Sequence, residues 1–129
     1  AVLSMLLDDT DRIYLLTESR EIRCYRLLFD ESGKIPVLTE ESPLETERPV
    51  SDMALAGNML VINYGKTLEA VDLRTRESLI ETDRFFSRIE TETDSSVTIC
   101  IRGVPSPSMH FLPERQCFRS MPDLRRSFG

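Results

Sequence analysis

The sequence predicts an all-β fold of antiparallel four-stranded meanders, and two observations carry the prediction. A unit of apolar strand, tight polar turn and second strand occurs twice, as DRIYLLTESREIRCYRLL over Asp11 to Leu28 and as NMLVINYGKTLEAVDL over Asn58 to Leu73. The copies keep their spacing, with Ile13 and Leu60 47 residues apart and Ile22 and Leu68 46 apart. Short strands recurring at such a period belong to stacked or radial β architectures, in which one repeat cannot bury its own faces.

Taken in order, Val2 to Leu7 is an apolar run ending at the turn cluster Asp8-Asp9-Thr10-Asp11, and Arg12 to Thr17 follows as a β-rich stretch. Ile22 to Leu28 alternates, with Ile22, Cys24 and Arg26 on one side and Arg23, Tyr25 and Leu27 on the other. Arg26 marks the end where the first side becomes wet. Ile35 to Thr39 reads as a short strand after the Glu31-Ser32-Gly33-Lys34 turn. Residues 40–49 then read as an exposed loop, because Pro43, Pro49 and the acids Glu40, Glu41, Glu45 and Glu47 break any long regular pattern.

The second unit opens with Val50 to Ala56, turns at Gly57-Asn58 and continues through Met59 to Tyr64 to a tight turn at Gly65-Lys66. Leu68 to Leu73, the turn Arg74 to Glu77 and a weak outer strand, Ser78 to Thr82, complete four strands. Apolar residues on both faces of Met59 to Tyr64 predict an inner strand covered on both sides. Val71 and Leu73, with Leu60 and Ile62 across the hairpin, are the predicted core of this sheet.

This segment, ALAGNMLVINYGKTLEAVDLRTRESL, resembles one blade of a WD40-like β-propeller, with Val71-Asp72 in the place of the Trp-Asp pair. Val71 stands where that family has tryptophan, no Gly-His pair precedes the blade, and Tyr25-Arg26 occupies the equivalent place in the first unit. The resemblance is one of strand pattern over roughly residues 1–102 and implies membership of a larger propeller. A small β-sandwich or open barrel is the alternative, since apolar strands alternating with turns are common to all such folds.

Arg88 to Thr93 and Ser96 to Arg102, around a turn at Asp94-Ser95, supply two strands of a third unit. Two to three blade-like units over residues 1–102 fall short of the roughly 4–8 blades that close a propeller. Exposed faces and edges are therefore expected to need cover from the rest of a larger propeller, from another chain or from further copies of this one. Residues 103–129 read as a separate extended strap, broken by Pro105, Pro107, Pro113 and Pro122, with a short helix expected at Met121 to Ser127. Its scattered apolar side chains, Met109, Phe111, Leu112, Phe118, Met121, Leu124 and Phe128, are the candidate partner-binding residues.

Charge divides the chain. Residues 1–101 hold 11 Lys or Arg against 20 Asp or Glu, and residues 102–129 hold five Arg against two acids, within a total of -6. The acidic body would repel a phosphate backbone, whereas Arg102, Arg115, Arg119, Arg125 and Arg126 are candidate phosphate contacts. No run of about 18 apolar residues predicts a membrane helix, and AVLSMLLDD lacks the basic flank of a signal peptide.

Chemistry has few carriers. Cys24, Cys100 and Cys117 form no CxxC pair, and with the single histidine, His110, they would make a zinc site only by bringing distant segments together. Reduced buried cysteines fit a cytosolic or nuclear compartment. His110 and Cys117 lie in an irregular stretch without a rigid element to hold a nucleophile and base. Asp8, Asp9 and Asp11 lack the glycine and terminal glutamate of a calcium loop, and no GxxxxGK phosphate loop is present. No cofactor, metal or catalytic residue is therefore assigned. The expected function is a non-catalytic protein-protein interaction scaffold; a nucleic-acid-associated subunit using the arginine-containing tail is the alternative.

Overall fold

The structure, a computed structural model, describes residues 1–46, 48–81, 85–93, 95–104, 107 and 109–120. Among these residues there are twelve strands and no helix, hence none long and apolar enough to cross a membrane. They are β1 (Val2–Leu7), β2 (Arg12–Thr17), β3 (Ile22–Phe29), β4 (Pro36–Leu44), β5 (Asp52–Ala56), β6 (Met59–Asn63), β7 (Leu68–Asp72), β8 (Ser78–Glu81), β9 (Phe86–Thr91), β10 (Val97–Ile101), β11 (Met109–Leu112) and β12 (Cys117–Ser120). They form three antiparallel sheets in chain order, β1 to β4, β5 to β8 and β9 to β12, and none closes into a barrel. The sequence-expected four-stranded meander is thus the unit of the fold.

Side-chain alternation assigns the faces. In the second sheet, Leu55, Leu60 and Val71 lie in register on one face, while Ala54, Val61 and Ala70 lie in register on the other. The first set joins Tyr14, Leu16, Ile22 and Cys24 of the first sheet in one core. The second set joins Ile89, Val97, Ile99 and Phe111 of the third sheet in another. The middle sheet is therefore covered on both sides, which is why every residue of β6 is buried.

Contacts between sheets gather on their first strands: β1 lies against β5 and β5 against β9, while β4, β8 and β12 share no comparable contact. Hydrogen bonds fasten this inner side. The Val50 N–H donates to the Arg20 carbonyl (3.0 Å), and the Phe86 N–H to the Gly65 carbonyl (2.6 Å). The Asp52 Oδ2 accepts from the Ile89 N–H (3.1 Å), and the Thr91 hydroxyl donates to the Leu55 carbonyl (2.7 Å).

Two expectations are corrected. The loop expected at residues 40–49 begins five residues later than its predicted start, because β4 runs on to Leu44 and pairs Cys24 with Glu41 and Ile22 with Leu44. Pro43 is tolerated because β4 is an edge strand, whose outward N–H has no ladder partner to lose. Glu41 is tolerated because Arg12 reaches it at 3.3 Å, both half-buried. The strap expected over residues 103–129 is, in its described middle, the second half of the third sheet. Met109 and Phe111 point inward to the core and Leu112 pairs with Cys117, so β11 and β12 complete a third meander. The helix expected at Met121 to Ser127 lies outside the described residues.

The Gly57-Asn58 turn shows how local chemistry sets register. Ala56 and Met59 are paired across a two-residue loop, and Gly57 has φ +60° at its first position, as a type II′ hairpin requires. A Cβ at Gly57 would meet only Pro113 Cβ, at an ordinary 3.5 Å, so the obstacle to a side chain is backbone conformation. Gly57→Ala is expected to destabilise the fold by about 1–3 kcal/mol, read as a lower denaturant midpoint with an unchanged slope.

Candidate functional site

The apolar residues expected to hold a partner separate into two groups. Met109 and Phe111 are buried between the second and third sheets, and Phe118 packs on them, its ring centroid 5.0 Å from that of Phe111. Met109 and Phe111 thus belong to the core and not to an exposed strap, while Phe118 is only partly buried against them. Leu112 is half-buried on the opposite face, beside Cys117. Met121, Leu124 and Phe128 lie outside the described residues.

The arginines do not form one tract. Arg102 follows β10 at one end of the third sheet, Arg115 is in the turn after β11 at the other end, and Arg119 sits opposite His110 on β12. Arg125 and Arg126 lie outside the described residues. His110 and Cys117 are diagonal neighbours on the outward face of the third sheet, both half-buried. Cys24 is buried in another sheet, where burial pushes its thiol up and keeps it protonated. Among the described residues no group of three or more His, Cys, Asp or Glu is placed to hold a metal ion.

The clustered aspartates organise structure. Asp8 Oδ1 accepts from the Thr10 N–H (2.9 Å), the Thr10 hydroxyl (2.8 Å) and the Arg12 N–H (3.0 Å), while Oδ2 accepts from the buried Tyr14 hydroxyl (3.1 Å). Partial burial pushes the carboxyl up, but these donors outweigh it and hold Asp8 below the ordinary carboxylate range. Burial, then the Asp8 charge, push Tyr14 far above the ordinary phenol range. Asp8→Ala leaves the Tyr14 hydroxyl without this partner and is expected to cost about 1–3 kcal/mol. Because the folded-state value of Asp8 is depressed, its ionised form contributes stability above the unfolded value, about 3.9. That contribution is lost as pH falls through the folded value, so the gap between wild type and Asp8→Asn should shrink below about pH 4. Urea midpoints measured from pH 3 to pH 7 check this.

Asp72, the second member of the Val71-Asp72 pair, ends β7 and accepts from the Arg74 N–H (2.9 Å) at Oδ1. That hydrogen bond, more than the burial opposing it, holds its carboxyl below the ordinary range. Its visible role is to shape the turn to β8.

A surface that sequence reasoning did not single out stands apart from all of these. Met5, Leu7, Ile13, Leu15, Leu27 and Leu38 share the face of the first sheet that points away from the second. Met5 is 64% exposed and Leu7 and Leu38 57% each. Large aliphatic side chains thus stand side by side in solvent on this face. The far face of the third sheet is its opposite in character, carrying Arg88, Glu90, Thr98, His110 and Arg119. No protein-family model matches the chain, and no curated protein matches it in sequence.

Proposed function

We propose that the chain is a non-catalytic protein-protein interaction scaffold built from propeller-type blades, working as part of a larger propeller assembly in the cytosol or nucleus. The observation that carries this reading is the stacking of three consecutive four-stranded meanders with their first strands together and the middle sheet covered on both faces. That is how blades pack around an axis, and three such units fall short of the roughly 4–8 that close a ring. The uncovered aliphatic face of the first sheet supports an assembly partner. Three free cysteines, two of them buried, are in keeping with a reducing compartment.

The test uses the intact chain as bait, followed by calorimetry with each purified protein it retains. A saturable complex of fixed stoichiometry supports the scaffold reading. Retention of no protein that binds again after purification would overturn it.

A further inference from the structure

The geometry points to the outward face of the first sheet as the seat of one more four-stranded antiparallel meander, packed there as the first sheet packs on the second; this rests on the propeller-type reading above. The repeat itself says what covers the face. Ile13, Leu15 and Tyr25 of that face correspond by spacing to Leu60, Ile62 and Val71 of the second unit, 47, 47 and 46 residues on. Those three counterparts are 0%, 0% and 5% exposed, and what buries them is the inward face of the first sheet. The other faces correspond in the same way, since Tyr14, Ile22 and Cys24 match Val61, Leu68 and Ala70, and each set faces the next sheet along the chain. A face built to the pattern of one buried by a meander is complementary to another meander.

Two further observations select this occupant. The charged side chains of the face, Arg23 and Glu40, stand 3.9 Å apart and pair with each other, so they ask for no charged partner. A second copy stacked head to tail would bring its far face, with Arg88, Glu90 and Arg119, onto Met5 and Leu7. Even with Arg88 held by Cys100 and Glu90, desolvating these charges against aliphatic side chains makes that arrangement unfavourable. An incoming sheet with an inward face like Tyr14, Leu16, Ile22 and Cys24 has no such penalty.

The experiment extends the full chain with a repeat of residues 1–51 ahead of Ala1, in a Cys117→Ser background, and reads alkylation of a Met5→Cys thiol placed only in the downstream copy. In a monomeric tandem the thiol is expected to react at least about tenfold more slowly than in the unextended chain with the same substitutions. Leu16→Asp in the added copy should restore the fast rate. Equal rates, or an added meander that gains no β signal by circular dichroism, would overturn the seat. So would slow alkylation in the unextended chain that speeds up on dilution, because a second copy would then be the occupant. Partner binding by the chain itself is measured separately, so the failure of this seat and the failure of the scaffold reading are distinguishable.

Discussion

Leu60→Ala is expected to lower the free energy of unfolding by about 2–5 kcal/mol. Leu60 is 0% exposed on β6, with Leu55 and Val71 as its register partners on either side. It faces the first sheet in the core that also holds Tyr14, Leu16 and Ile22. A cavity there lies between two hydrogen-bonded sheets that cannot easily collapse into it, so the lost contacts add to the lost transfer energy. Against a total stability of about 5–15 kcal/mol, one such change leaves the fold marginal. Glu45, exposed beyond the end of β4, supplies the contrast: Glu45→Ala should change stability by less than about 0.5 kcal/mol. Urea titrations of the two variants decide the matter, and equal midpoints would refute the placement of Leu60.

How legible each part was depends on how much of its pattern is local. The hairpin of β5 and β6 could be read directly, because Gly57-Asn58 supplies the turn and Met59 to Ile62 supplies an apolar run for a strand buried on both sides. β4 was read too short because prolines and glutamates argue against a central strand, and they argue much less against an edge, where one side of the ladder is open. β11 and β12 are four residues each, so alternation repeats only twice, and the nearby prolines outweighed it. The candidate surface is harder still. Ile13 and Leu60 look alike in the sequence, yet Leu60 is buried beneath a neighbouring sheet and Ile13 is only half-buried, on a face without one. Which of two equivalent faces is covered is a tertiary fact that no window of residues contains.

Phe111→Ala is expected to cost about 3–5 kcal/mol. Phe111 is 0% exposed, pairs in register with Val97 and Phe118, and closes the core between the second and third sheets. Its tilted contact with Phe118 adds to the area it buries. The same residue decides between a detachable strap and an integral half-sheet. Truncation after Arg102 removes β11 and β12 together, leaving β10 as a bare edge and uncovering Val97 and Ile99, which are 0% exposed in the intact chain. A strap could be removed with little change in the denaturant midpoint. Integral strands predict that the truncated chain loses cooperative unfolding and binds a hydrophobic dye strongly, with the Phe111→Ala chain falling between it and wild type. A truncated chain that kept the wild-type midpoint would return residues 103–129 to the role of a peripheral segment. The third meander would then end at β10, its inner face only partly covered, and the polar far face would lose the His110 and Arg119 that now help set it apart from the first sheet.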